Sequence, residues 1–383
     1  MKRREFLAAG VAALCLPRAA FAGEAYRRLL ILIELKGGND GLNTVIPYAD
    51  PSYYSLRPRL AVPRDQVLQL DERTGLHPSL RPLLATWQAG ELAIVQGVGY
   101  ANPNLSHFRS IEIWDTASRS DEYLAEGWLA RAFAAQPVPP GFAADGIVVG
   151  GNDFGPLAGT GARAVALSDP AQFLRQARLA NPGGAARNAA LAHILKVEGD
   201  IVQAARHLVA DVAFKTEFGG GPGAGPWRNA LRVAAQLAAN QAGVAAIRLS
   251  LDGFDTHQNQ AGVHQRLLGE LAEGIAALRS ALTEIGRWNS TLLMTYAEFG
   301  RRPQENNSSG TDHGTASTHF IAGGRVKGGL YGAAPRLDAL EGGNLRHGVD
   351  FRSLYATVLE RWWGVPGARA LNGRFETLDL LRS

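Results

Sequence analysis

The sequence predicts an open α/β sheet, and three features carry that prediction. Near-continuous apolar runs at 28–35, 92–98, 244–251 and 291–297 have the aliphatic and β-branched content of strands buried on both faces. Segments with helical periodicity stand between them, at 185–217, 227–242 and 263–288. The runs lead into turns or loops rich in glycine, asparagine and acids. Open α/β sheets bind ligands in the crevice beyond the carboxyl ends of their strands. Acids and histidines at those exits therefore define the candidate site.

A chain of 383 residues can bury a large core, and 23–383 reads as a single domain with a helical insertion around 185–243. Hydrophobic residues at 46% and charged ones at 19% exclude an intrinsically disordered chain. The formal charge of +4 falls to +1 once Lys2, Arg3, Arg4, Arg18 and Glu5 are set aside with the first 22 residues. So even a balance excludes nucleic acid as a polyelectrolyte partner.

Those first 22 residues read as an export signal. Arg3-Arg4-Glu5-Phe6-Leu7 is followed by the apolar stretch 7–16 and by Ala20-Phe21-Ala22, a small-x-small cleavage site. The paired arginines resemble the twin-arginine signal, which makes the Tat export machinery a partner and the periplasm or exterior the expected location. The apolar stretch is too short for a permanent membrane span, and no later run is long enough. Cys15, the only cysteine, lies inside the signal. Any metal in the mature protein must then be held by oxygen and nitrogen.

Taken in order, each strand exit offers candidates. The first run ends in Lys36-Gly37-Gly38-Asn39-Asp40-Gly41, where glycines allow tight turns and Asp40 is either a ligand or a turn former. The second leads to Ser106-His107-Phe108-Arg109, with Ser106 at a helix N-terminus. Free N–H groups and the helix dipole favour an anion there, and a nearby metal makes the serine a nucleophile. A serine is also simply a favoured N-cap. Arg109 is a candidate clamp for an anionic oxygen and His107 a reserve for proton transfer. Gly150-Gly-Asn-Asp153 reads as a turn, and the cluster at 218–226 as a hinge or loop. Asp255 and His257 follow the 244–251 run. Glu298, Asp312, His313 and His319 share a polar loop after 291–297. Carboxylates with imidazoles are the donor set of zinc and related divalent ions. Asp350 reads as the cap of a helix at 353–363, and His77, His264 and His347 as structural.

These motifs together carry a resemblance. GGNDGLNTVIPY, SHFRS, EGWLARAF, FDTHQNQ, AEFGRR, TDHG and GGRVKGG, spread in order over about 28–365, resemble the exported bacterial family named domain of unknown function 1501. That family is similar to the alkaline phosphatase and sulfatase superfamily. The resemblance implies a doubly wound, mostly parallel sheet flanked by helices, with metals at the carboxyl ends of its strands. It also implies that Asp40 matches the first metal-binding Asp, that Ser106 matches the nucleophile, and that Asp255 with His257 and Asp312 with His313 match later acid–histidine pairs. Glu298 stands where the superfamily has an Asp-His pair, and His319, preferred over His347, supplies the remaining histidine. The expected function is metal-dependent hydrolysis of a small anionic phosphate or sulfate ester with one or two zinc ions. The alternative is a catalytically degenerate periplasmic binding or scaffold protein of the same fold.

Overall fold

The computed structural model describes residues 25–167, 212–219, 225–240 and 243–382. The expected signal at 1–22 and most of the alanine-rich segment at 185–217 lie outside the described residues. Strands β1 (Leu29–Lys36), β5 (Leu92–Gly99), β8 (Val244–Asp252) and β9 (Thr291–Tyr296) coincide with the four apolar runs. Among the described residues the main sheet has nine strands. It adds β6 (Ala144–Val149), β7 (Ala164–Leu167), β12 (Ser317–Ala322), β13 (Gly329–Tyr331) and β14 (Val349–Asp350). The spatial order is β13-β5-β12-β9-β1-β8-β6-β7, with β14 pairing the end of β5. Every pairing is parallel except those of β12, which runs antiparallel between β5 and β9. A small sheet of β2 (Val45–Ile46), β3 (Leu68–Gln69) and β4 (Gly75–Leu76) and a hairpin of β10 (Gly300–Glu305) and β11 (Thr311–Gly314) lie outside it.

Helices cover both faces, which is why the strands are apolar without alternation. Among the described residues the α-helices are α1 (Gly41–Thr44), α2 (Pro51–Leu56), α3 (Leu84–Gln88), α4 (His107–Thr116), α5 (Trp128–Ala135), α6 (Pro226–Ala239), α7 (Gln260–Glu284) and α8 (Phe351–Ala356). In β1, Leu29, Ile31, Ile33 and Leu35 join one core with Ala234 of α6 and Leu271, Ile275 and Leu278 of α7. Leu30 and Leu32 join the opposite core with Trp114 of α4, Trp128 and Phe133 of α5 and Tyr355 of α8. Each fully buried aliphatic or aromatic side chain contributes about 1.5–3 kcal/mol, so this two-sided sandwich sets the position of β1 at its centre. The expected doubly wound α/β architecture is what the chain adopts.

One element was hidden in the sequence. The stretch after Glu298, read as a polar loop out to His319, instead forms the β10–β11 hairpin and then enters the sheet as β12. Ser-Thr-His-Phe-Ile-Ala is too short and too polar at its start to signal a buried strand. Its hydrogen bonds come from β5, more than 200 residues earlier, as well as from β9.

Candidate metal centre

Four strand exits meet at one edge of the sheet, and two features let them meet so closely. Gly37 has φ +111, and a Cβ there would stand 2.4 Å from the Asp255 nitrogen, so only glycine lets the β1 exit lie against the β8 exit. The Arg301 guanidinium, wholly buried, then ties the exits together. It donates to the carbonyls of Gly37, Gly38 (2.8 Å), Phe254 (3.1 Å) and Thr311 (2.9 Å), and to Asp255 Oδ1 (2.6 Å). The start of α4 is fastened to the β9 exit by the Ser110 hydroxyl, which donates to the Glu298 carbonyl at 2.7 Å. That bond carries His107 into the cluster.

The cluster is built on Asp255. Its Oδ1 lies 3.1 Å from His257 Nε2 and 3.2 Å from His313 Nε2, and its Oδ2 lies 3.4 Å from His107 Nε2. The two Nε2 atoms of His257 and His313 are 2.9 Å apart. Ligand atoms of His107, Asp255 and His313 all fall within 4.8 Å of one another. Outer partners decide where the ring protons sit. His313 Nδ1 is 2.7 Å from the Leu105 carbonyl, which can only accept, so Nδ1 carries the hydrogen and Nε2 the lone pair. His107 Nδ1 donates in the same way to Glu298 Oε1 at 2.9 Å, an oxygen that also receives the Gly37 N–H at 2.9 Å. His257 turns Nδ1 toward Asp312 Oδ1 at 3.5 Å.

Ligand atoms of His107, Asp255 and His313 thus converge, with His257 Nε2 next to them. Without a cation such atoms repel, while the edge of a tetrahedron of nitrogen and oxygen ligands around zinc is about 3.3 Å, close to the observed separations. The protonation states suit a metal as well. Burial pushes the Asp255 carboxyl up, but Arg301 and the neighbouring histidines outweigh it and hold it at about 2. Burial lowers the His313 ring, against the opposing pull of its Leu105 bond, so the imidazole stays neutral. Glu298 keeps its second oxygen, Oε2, buried and without a hydrogen-bond partner among the described residues. The side chains of Asp255 and His257 are 46% and 43% exposed, so the centre is open to solvent on one side, as a site that admits substrate must be. The residues present therefore fit a divalent ion held by Asp255 and the Nε2 atoms of His107 and His313, with His257 Nε2 beside them.

The family model described as "Protein of unknown function (DUF1501)" matches residues 27–371. The chain belongs to the DUF1501 family. No curated protein matches it. Among solved structures it is similar to an alkaline phosphatase superfamily protein from Vibrio parahaemolyticus, at 10% identity and TM-score 0.43, covering 92% of this chain and 70% of that one. It is also similar to a phosphonate monoester hydrolase from Silicibacter pomeroyi (13% identity, TM-score 0.41, 92% and 76%). A sulfatase from Pseudoalteromonas sp. aligns at 12% identity and TM-score 0.39, over 99% and 75%.

In this DUF1501 chain the expected site residues divide. Asp255, His257, His313 and Glu298 come together, with Asp312 exposed at the rim, where it accepts from Asn306 at 3.1 Å. Asp40 is set apart from them. Its Oδ1 caps α1 through the N–H groups of Leu42 and Asn43, and its Oδ2 receives Arg57 at 2.6 Å and Gln260 at 2.5 Å. Burial raises its carboxyl, but Arg57 and these hydrogen bonds more than offset that and leave it below the ordinary value. Both Asp40 oxygens are thus engaged by protein donors. His319 faces the α4 side of the sheet, wholly buried against Trp114 at 5.3 Å between ring centroids, with neither ring nitrogen hydrogen-bonded among the described residues. Arg109 is buried and turned to the loop after α4, where it donates to the carbonyls of Arg119, Ser120 and Glu122 and stacks over Tyr123. All three bonds come from Nη2, while Nη1 lies 3.0 Å from Glu112 Oε2. Ser106 does stand at the N-cap of α4, exposed, and its hydroxyl makes no capping bond. His347 is exposed in the loop before β14.

One partner had another role in the sequence reading and one had none. His107, held there only in reserve for proton transfer, directs Nε2 at Asp255; its signal was its place immediately after the candidate serine. Arg301 carried no signal, because a basic residue in a polar stretch reads as solvated.

Proposed function

We propose that this protein is an exported, metal-dependent hydrolase of small anionic phosphate or sulfate esters, with Ser106 as nucleophile. The observation that carries the proposal is the grouping of His107, Asp255 and His313, with His257 Nε2 2.9 Å from His313 Nε2. These four residues would hold one divalent ion, with zinc matching the nitrogen and oxygen donors. When bound, the ion supplies positive charge to the ester oxygens and lowers the pKa of a nearby hydroxyl.

The chain's own residues do the rest. Glu298 and Leu105 keep the His107 and His313 protons on Nδ1, so both rings stay ligand-ready. The free N–H groups at the start of α4 offer donors to the non-bridging oxygens. The Ser106 oxygen attacks phosphorus or sulfur and loses its proton to a neighbouring base or water. The alcohol leaves with a proton, and water then releases the serine ester. The engagement of Asp40 by Arg57 favours one ion over two. The paired arginines at Arg3 and Arg4 support export in the folded state through the Tat machinery.

A binding protein without turnover is the second reading, favoured by the internal use of Arg109, which leaves the ester's charge without that clamp. The test is metal analysis of the mature protein, wild type against His313→Ala, followed by a panel of phosphate and sulfate esters. About one ion per chain, lost in the variant, together with ester turnover supports the hydrolase. Bound metal with no turnover supports the binding protein. A wild type that holds no stoichiometric zinc after loading overturns the hydrolase and leaves the binding protein.

A further inference from the structure

Beneath the metal centre lies a buried amide with an unusual set of partners. Gln260, at the start of α7, is wholly buried. Its Oε1 accepts from the Thr256 hydroxyl at 3.1 Å and from the Thr311 hydroxyl at 2.6 Å, and its Nε2 donates to Asp40 Oδ2 at 2.5 Å. Thr256 stands between Asp255 and His257. Thr311 precedes Asp312 and His313. One carbonyl oxygen therefore staples the segment that carries Asp255 and His257 to the segment that carries His313, and the Thr311 N–H adds a backbone bond to the Thr256 carbonyl at 3.1 Å. Asp40, fixed by Arg57 and by the α1 backbone, orients the amide, since an ionised carboxylate accepts only from its N–H side.

We infer that Gln260, with Asp40 behind it, is a positioning residue that sets the His257–His313 separation and so the affinity for the metal. The inference rests on the metal-centre reading above. Neither residue touches the metal position. Their effect passes through the Thr256 and Thr311 hydroxyls, and the outer partners of a metal site commonly govern affinity by 10–100-fold.

The experiment titrates zinc alone into Thr311→Val, Thr311→Ser and Thr256→Val, with a chromophoric chelator as competitor and cobalt absorption as a report on ligand geometry. Thermal unfolding of the metal-free proteins is followed alongside. Thr311→Val is expected to weaken zinc binding about tenfold or more and to change the cobalt spectrum, Thr311→Ser to restore both, and Thr256→Val to show the same loss in smaller measure. Thr256→Val serves if Thr311→Val does not fold. Valine variants that bind zinc as tightly as a zinc-binding wild type overturn the inference and leave the metal centre standing. A wild type that binds no zinc overturns the metal centre itself, and this inference with it.

Discussion

His257 and His313 bring their Nε2 atoms to 2.9 Å of one another while the other nitrogen of each ring faces an oxygen outside the pair, Asp312 for His257 and the Leu105 carbonyl for His313. Rings so held bring their two Nε2 atoms face to face. Only a proton or a metal ion between them relieves the contact. Zinc should therefore bind the folded state selectively and raise the thermal midpoint, by the equivalent of about 4 kcal/mol at a thousand times the dissociation constant. Differential scanning calorimetry with zinc and then with a chelator checks this. The increase should vanish in His313→Ala.

Glu298→Gln tests the proton assignment at His107. The amide keeps the shape of the carboxylate but brings a second N–H into a place where Oε2 has no partner. It also weakens the acceptor that holds His107 Nδ1–H. Zinc affinity is expected to fall about 10–100-fold, measured by chelator competition. An unchanged affinity would remove Glu298 from the centre.

Arg57→Met isolates the structural role of Asp40. The pair is buried on both sides, with side chains 0% and 1% exposed, so deleting the cation leaves an uncompensated interior anion. Urea unfolding should show a loss of about 3–5 kcal/mol. The pH dependence has a definite sign. Because the folded Asp40 carboxyl is held below its ordinary value, it contributes stability above the unfolded pKa of about 3.9 and loses that contribution as pH falls through the folded value.

His319 supplies a second titration with the opposite charge on protonation. Burial alone lowers its ring to about 3. The unfolded chain, with a histidine near 6.5, binds the extra proton first, so stability is full above about pH 6.5 and declines as pH falls toward 3, by roughly 1.4 kcal/mol per pH unit. His264, lowered to about 4 by burial, adds to the same slope down to its own value. Unfolding free energies of His319→Phe measured between pH 4 and 7 should show a slope shallower by about one proton. An unchanged slope would mean that the ring finds a partner for its proton in the folded state.

Ser106→Ala separates chemistry from capping. A capping serine loses about 1 kcal/mol on this change, but the Ser106 hydroxyl makes no capping bond. Stability should therefore move by less than about 0.5 kcal/mol, while ester turnover falls by roughly 10³-fold or more. Turnover that survives would leave the centre in place and assign the attack to water.

What the sequence determined alone is local in origin. The runs that became β1, β5, β8 and β9 were legible because strands covered on both faces need uninterrupted apolar residues, and their exits were legible because turns need glycine, asparagine and acids. Asp255, His257 and Glu298 follow from that rule. Tertiary structure decided which of the candidates meet. Asp40 has the right exit, but Arg57 and Gln260, the latter 220 residues away, take both sides of one oxygen. Arg109 sits on the helix of the candidate serine, yet three loop carbonyls draw it off. His319 was drawn into the sheet when β12 inserted between β5 and β9. A pattern along the chain shows at which strand end a residue lies. Where its side chain points is settled by hydrogen-bond partners that only folding brings within reach.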